Sequence, residues 1–148
     1  MPRAVEKVLV KAPKDTVWEL LLDKAENPQR YLEGILDFRV LGRGEGWLRR
    51  ELQLEDAQWL RETVRIEPDR GELTFHLEDH PVFEGRVVNR LEPTGPDTVA
   101  LTFEMDWGAK PGVRPADCPV ALIHGAIERT KAIAEELVRA AEEEGGGR

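Results

Sequence analysis

Alternating apolar and polar residues divide most of the chain into short segments. RAVEKVLVKA alternates near the N-terminus, and so do the segments between residues 35 and 107, which the turn sequences RGEG, EPDRG and PTGPD separate. A period of two is typical of strands with one buried face. The spacing of the turns therefore predicts about seven strands joined mostly as hairpins.

Three stretches suggest helices instead. APKDTVWELLLDKAENP has apolar residues at helical spacing between Val17 and Leu22, and ENPQRYL restarts after a proline as a second short helix that ends at Gly34. From Pro119 to Glu144, an apolar stripe repeats every 3.6 residues. We therefore predict two short helices after the first strand and one long amphipathic helix at the C-terminus.

The order of these elements predicts a single α+β domain over residues 1–144, with a disordered tail at 145–148. An antiparallel meander needs a cover for its apolar face, and only the C-terminal helix is long enough to provide it. A strongly twisted sheet that wraps around this helix leaves a hollow between the two. The prediction is a seven-stranded curved antiparallel sheet around the C-terminal helix, with an internal cavity.

This order of elements resembles the helix-grip fold of the START-like superfamily, also called SRPBCC or birch-pollen-allergen-like. LLDKAENPQRYLEGILDFRVLGRGEGWLRREL and LEDAQWLRETVRIEP are similar to its AtaL-like branch, and the resemblance covers nearly the whole chain. The superfamily implies a ligand cavity between sheet and last helix. Its members bind lipids, sterols, polyketides and hormones, and a minority are cyclases, dehydrases or hydrolases. The branch implies no set of catalytic residues for this chain.

Two neighbouring strands each have one charged residue on an otherwise apolar face. Arg50 shares its face with three leucines, and Glu62 shares its face with Leu60 and Val64. A buried charge is costly unless it is paired or hydrated. If residues 55–58 form the turn, a bulged hairpin brings Arg50 and Glu62 within cross-strand reach. An internal ion pair, a face assignment wrong by one residue and the polar floor of a pocket all remain open.

The remaining inward positions are mostly apolar with a few polar groups, which is typical of small-molecule sites. The candidate ligand-binding residues are Arg50, Glu62, Asn89, Phe103, Met105, Trp107, Thr130 and Tyr31. Structural roles are also open: Asn89 can bond a loop backbone, Thr130 can bond its own helix, and the seventh-strand residues can fill the core. Tyr31 lines the cavity mouth or packs with a free hydroxyl.

Composition and charge limit the partners and the compartment. A formal net charge of -8 argues against nucleic acid or an anionic membrane as the main partner. The N-terminus lacks the apolar core of a signal peptide, and no apolar run approaches the ~20 residues that span a bilayer. The single cysteine forms no intrachain disulfide. We therefore expect a cytoplasmic protein without a nucleic-acid or membrane partner.

Few residues offer catalytic chemistry. The chain has no serine, and its one cysteine has no evident partner base. His76 and His80 flank Glu78 on a face assigned to solvent, so we interpret them as surface histidines and expect neither metal nor cofactor. Burial would raise the pKa of Glu62 and Arg50 would lower it, so Glu62 is the candidate general acid or base.

Three functions remain open from the sequence. The first is binding of a small, partly apolar molecule of the lipid, polyketide or aromatic acid class, with Arg50 gripping its carboxylate or carbonyl. The second is a polyketide cyclase- or dehydrase-like enzyme that uses Glu62. The third is a protein-interaction module with a filled cavity. In that case Trp47 and Trp59 on the outer sheet face mark a partner patch and favour a homodimer.

Overall fold

The computed structural model describes residues 3–31, 34–54, 59–80, 83–109 and 121–146. Strand β1 (Arg3–Val10) leads into helix α1 (Lys14–Glu26), and a 3₁₀ turn (Pro28–Arg30) follows it. The later elements are β2 (Ile35–Gly44), β3 (Trp47–Leu54), β4 (Trp59–Glu67), β5 (Glu72–Glu78), β6 (Phe83–Gly95), β7 (Thr98–Ala109) and the long helix α2 (Ala121–Gly146). The predicted α+β order is confirmed.

The two predicted helix ends differ in detail from the structure. The second short helix is a 3₁₀ turn that ends at Arg30, before the predicted end at Gly34. Asn27 separates this turn from α1 with φ -140° and ψ 61°, as expected for a residue before proline. At the other end, α2 includes Gly145 and Gly146, which the sequence analysis assigned to the tail.

The described strands form a seven-stranded antiparallel sheet in the order β1-β7-β6-β5-β4-β3-β2. Strands β2 to β7 are a meander in which each strand pairs with the next one along the chain. The first strand, β1, pairs with β7, so that β1 and β2 are the two edges. Consecutive pairing places residues of β3 and β4 in direct cross-strand register, which matters for the site described below.

The core lies on one face of the sheet, under both helices. Helix α2 packs against β1, β7 and α1, whereas α1 also contacts β6. The largest fully buried side chains include Leu21, Leu52, Val64, Leu73, Leu101, Phe103 and Ile127. Burying each such side chain contributes roughly 1.5–3 kcal/mol, so this face dominates the packing energy. The C-terminal half of α1 therefore shares the concave side of the sheet with α2.

Two residues that alternation predicts to be exposed are buried. Val88 lies on the outer face of the sheet, where alternation predicts exposure to solvent, but it is buried because it lies opposite Thr74 and Glu104 in the middle of that face. Long side chains of neighbouring strands cover apolar surface at such central positions. His80 was interpreted as a surface histidine but is also buried. It follows Asp79, whose φ of 46° turns the chain, and alternation predicts faces only in extended backbone.

Asp23 holds the turn after α1 in place. Its Oδ1 accepts a hydrogen bond from Asn27 Nδ2 at 2.8 Å. Its Oδ2 accepts bonds from Arg30 Nη1 and from the Tyr31 hydroxyl, each at 2.8 Å. Burial and the bond to Asp23 raise the pKa of Tyr31. The Tyr31 hydroxyl is therefore bonded within the protein, and its aromatic ring is buried in the core.

We expect Asp23→Ala to lower the free energy of unfolding by about 2 kcal/mol, because it leaves the buried Tyr31 hydroxyl without its acceptor. Urea denaturation followed by circular dichroism measures this change. Glu26→Ala is the matched control on the same helix, since Glu26 forms a solvent-exposed ion pair with Arg43. The control is expected to cost less than about 1 kcal/mol. Equal losses in the two variants would contradict the role assigned to Asp23.

Candidate ligand-binding site

Arg50 and Glu62 form a buried ion pair on the concave face. They lie directly opposite each other in the β3–β4 register, and their residues are 3% and 6% exposed. The Arg50 Nε and Nη2 atoms donate to Glu62 Oε1 at 3.1 and 2.8 Å. Of the alternatives that the sequence left open, the structure shows the internal ion pair, and the pairing of β3 with β4 needs no bulge between these two residues.

The same guanidinium also caps helix α1. Arg50 Nη1 donates to the backbone carbonyls of Lys24 and Ala25 at 3.1 and 2.9 Å. Carbonyls in the last turn of a helix lack partners within the helix, and a cation there complements the helix dipole. These bonds and those to Glu62 use four of the five N–H donors of the guanidinium. Arg50 therefore fastens the end of α1 to the sheet.

Lys24, which the sequence analysis did not select, completes the polar cluster. Its residue is only 4% exposed, and its Nζ donates to Asn89 Oδ1 at 2.6 Å. The same Nζ lies 3.9 Å from the ring centroid of Phe103 and 4.9 Å from that of Phe75. Asn89 and Phe103 face each other in the β6–β7 register. We call Lys24, Arg50, Glu62 and Asn89 the buried cluster.

Burial and the neighbouring charges shift the protonation of Lys24. Burial lowers the pKa of Lys24, Arg50 also lowers it and Glu62 raises it, and together they bring it from 10.5 to about 7. The faces of the two phenylalanine rings also attract the ammonium form. Near neutral pH the Lys24 amine therefore exchanges readily between its charged and neutral forms.

Asn89 has a donor that the described part of the protein does not use. The residue is fully buried, and its Nδ2 has no hydrogen-bond partner among the described residues. A buried amide donor left without an acceptor costs about 1–3 kcal/mol. Because its Oδ1 is held by Lys24, the amide orientation is fixed and Nδ2 is the end available to a bound molecule.

The other candidate residues occupy different surroundings. Phe103, Met105 and Thr130 are buried, and Phe103 contacts Lys24. Tyr31 bonds Asp23 rather than the buried cluster. The Trp107 side chain lies outside the described residues, although its backbone pairs with that of Gly85. The roles of these residues in binding remain predictions.

A pocket of about 240 Å³ lies at the end of α1, and no residue of the buried cluster lines it. Leu22 and Ala25 line it from α1, and Trp47, Leu48 and Ile66 line it from the sheet. Ala25 also joins the two sites, since its carbonyl accepts a bond from Arg50. A separate groove of about 630 Å³ lies between α2 and the start of α1, and includes none of the predicted site residues.

Trp47 and Trp59, the two tryptophans of the predicted partner patch, are both exposed, and Trp47 also lines the pocket at the end of α1. The Arg39 guanidinium lies 5.2 Å from the ring centroid of Trp59. None of the helices in the described ranges is long and apolar enough to cross a membrane. A homodimer through the tryptophans remains a prediction.

The curved antiparallel sheet, the two helical segments after β1 and the long C-terminal helix define a START-like protein of the helix-grip, or SRPBCC, class. Within this class, a sequence profile of the family described as acetylaranotin biosynthesis cluster protein L (AtaL) matches residues 4–140. The chain belongs to the AtaL family. A comparison with curated protein sequences finds no match.

Solved structures of other proteins share the fold at low sequence identity. The ZhuI aromatase/cyclase from Streptomyces is 17% identical with a TM-score of 0.69, and the match covers 96% of this chain and 93% of that one. A START superfamily protein from Mycobacterium smegmatis is 20% identical with a TM-score of 0.69, over 91% and 98% of the two chains. Norcoclaurine synthase from Thalictrum flavum, in complex with dopamine and hydroxybenzaldehyde, is 12% identical with a TM-score of 0.73, over 91% and 87%.

Proposed function

We propose that the protein binds a small, partly apolar molecule with a carbonyl or carboxylate oxygen at the buried cluster. The observation that carries the proposal is Asn89, whose buried Nδ2 lacks an acceptor among the described residues. A ligand oxygen that accepts from this donor would offset its desolvation cost. The rings of Phe75 and Phe103 provide apolar contact surface beside it. Sparse polar groups within apolar walls are typical of sites for small molecules.

Arg50 has a different role in this proposal from the one suggested by the sequence. Most of its donors are already bonded to Glu62 and to the end of α1. It therefore holds the frame of the site, and Asn89 rather than Arg50 orients the ligand oxygen. Glu62 neutralises Arg50 within that frame. General acid or base catalysis by Glu62 remains a prediction.

The pocket at the end of α1, which Ala25 links to Arg50 of the buried cluster, supports a small ligand. Its volume of about 240 Å³ is below the ~300 Å³ at which sites for drug-sized molecules begin. A dry cavity of about 150 Å³ is enough to bind benzene. Norcoclaurine synthase, which shares the fold, has been solved with two single-ring molecules. We therefore favour a single-ring aromatic acid or aldehyde, or a short acyl chain, within the lipid, polyketide and aromatic acid classes.

Native mass spectrometry and calorimetry test this function. We expect the purified protein to carry a discrete small molecule in native spectra, or to bind benzoate, benzaldehyde or octanoate in titrations. Asn89→Leu removes the free donor and is expected to weaken binding by about tenfold or more. Gln53→Leu is the matched control, because it makes the same kind of change on β3 outside the buried cluster.

A protein that carries no small molecule and binds none of the three probes would contradict the proposed function. Equal weakening by Asn89→Leu and Gln53→Leu would place the ligand elsewhere. Denaturing mass spectrometry of the same sample separates a bound molecule from a covalent modification, because only the first is lost on unfolding.

A further inference from the structure

We propose that Lys24 is a covalent site, at which its Nζ condenses with an aldehyde or ketone group of the ligand to form a Schiff base. This inference rests on the proposed function and adds a substrate class to it. The evidence is the position of Nζ among Asn89, Phe75 and Phe103, and the free donor on the same amide.

The geometry brings a bound carbonyl close to the amine. Nζ bonds the oxygen of the Asn89 amide at 2.6 Å, and Nδ2 is the other end of that planar group. In the proposed complex the ligand oxygen accepts from the Nδ2 hydrogen nearer to Oδ1, and this places the carbonyl carbon on the side of Nζ. The same donor stabilises the negative charge that develops on this oxygen during attack, as in an oxyanion hole.

The electrostatic surroundings make the amine a nucleophile near neutral pH. With a pKa of about 7, roughly half of the Lys24 side chains are neutral at pH 7. An ordinary lysine, with a pKa of about 10.4, is neutral in only about one molecule in 2,500 at that pH. Desolvation and a neighbouring cation are the two means by which proteins activate lysines for Schiff bases. Lys24 has both, through its burial and through Arg50.

The charged groups around Lys24 come from several elements. Arg50 on β3 opposes the ammonium form, and Glu62 on β4 favours it. Glu6 on β1 lies in register with Phe103 and so shares the concave face. Burial, Arg50 and Glu62 together set the pH at which the amine becomes neutral.

The step balances without a further reactant. The ammonium first releases a proton to solvent, and the amine lone pair forms a bond from Nζ to the carbonyl carbon. The carbonyl electron pair moves to oxygen, which takes one proton from the attacking nitrogen and one from solvent and leaves as water. The product is a protonated imine, which withdraws electrons from the neighbouring carbon. The substrate class is therefore a small, partly apolar aldehyde or ketone, including 3-keto acids, whose adjacent bond to hydrogen or carboxylate is weakened in this adduct.

Reductive trapping tests the proposal on the intact protein. The protein is incubated with benzaldehyde and sodium cyanoborohydride at pH 7, then digested with trypsin and analysed by mass spectrometry. We expect one benzyl group on Lys24, which blocks cleavage there and yields a peptide from Asp15 to Arg30. Its rate should exceed that at the exposed Lys7 by about tenfold or more. The preference should disappear in guanidinium chloride, which abolishes the buried environment.

Variants and binding data separate the two proposals. Lys24→Met should abolish the adduct, whereas Lys7→Met should retain it. If Lys24→Met does not fold, peptide mapping of the labelled wild-type protein gives the same information. Labelling of Lys24 no faster than Lys7 would overturn the Schiff base, and the proposed function would stand if calorimetry still showed benzaldehyde bound. Absence of both the adduct and binding of any of the three probes would overturn both proposals.

Discussion

Replacing Arg50 with methionine is expected to lower the free energy of unfolding by about 3 to 5 kcal/mol. The variant leaves the buried Glu62 carboxylate without its partner and removes the donor that caps the Lys24 and Ala25 carbonyls. Methionine has a similar volume, so the loss reports charge and hydrogen bonding more than packing. Urea denaturation of the purified variant measures the change.

The adjacent arginine provides the control for this experiment. Arg49 lies on the opposite face of β3, where its Nη2 bonds Glu78 Oε2 at 3.0 Å on the protein surface. Arg49→Met is expected to cost less than about 1 kcal/mol. A double variant, Arg50→Met with Glu62→Leu, is expected to be more stable than Arg50→Met alone, because it leaves no unpaired buried charge. If Arg50→Met and Arg49→Met lowered the free energy of unfolding equally, the structural role assigned to the bonds of Arg50 would be contradicted.

The second large effect is a rise in stability with pH that comes from Lys24. Its pKa is about 7 in the folded protein and close to 10.5 when unfolded, so the unfolded chain binds more protons between these values. Stability therefore increases with pH across this window, and below it the contribution of Lys24 no longer changes with pH. Deprotonation of Lys24 should raise the free energy of unfolding by about 3 kcal/mol between pH 7 and pH 9.5.

Comparison with Lys24→Met isolates this contribution from other titrating groups. Urea denaturation of both proteins at intervals from pH 6 to 9.5 gives a difference curve. This curve should be flat below about pH 7 and rise above it, because only the wild-type protein can lose the proton. A flat difference across the whole range would show that Lys24 titrates as an exposed lysine does.

Most of the fold was predictable because it depends on local patterns. Alternation identified the strands, and the 3.6-residue stripe identified α2, since both patterns reflect which side of an element is buried. The Arg50–Glu62 pair was also predictable as a candidate contact, because two consecutive antiparallel strands have few possible registers. The burial of His80 was not predictable, because a single left-handed residue, Asp79, ends the alternation before it.

Lys24 was missed for a different reason. Lys24 was not selected as a site residue, although it lies three and four residues after Leu21 and Leu20, on the buried face of α1. A helical projection of α1 would have indicated that position. Its partners Asn89 and Phe103 come from β6 and β7, more than sixty residues away, and no local pattern reports their proximity. Burial of a charge depends on such distant contacts.

The pairing of β1 with β7 sets the order in which this protein can fold. Strands β2 to β7 form by successive closure of short loops, but β1 must meet a strand whose residues lie about ninety positions later, such as Val10 with Val99. Contacts so distant in sequence are slow to form and raise the contact order of the chain. We expect the meander to assemble first and β1, with α1 behind it, to dock last. The buried cluster, which needs Lys24 from α1, would then be completed only at the end of folding.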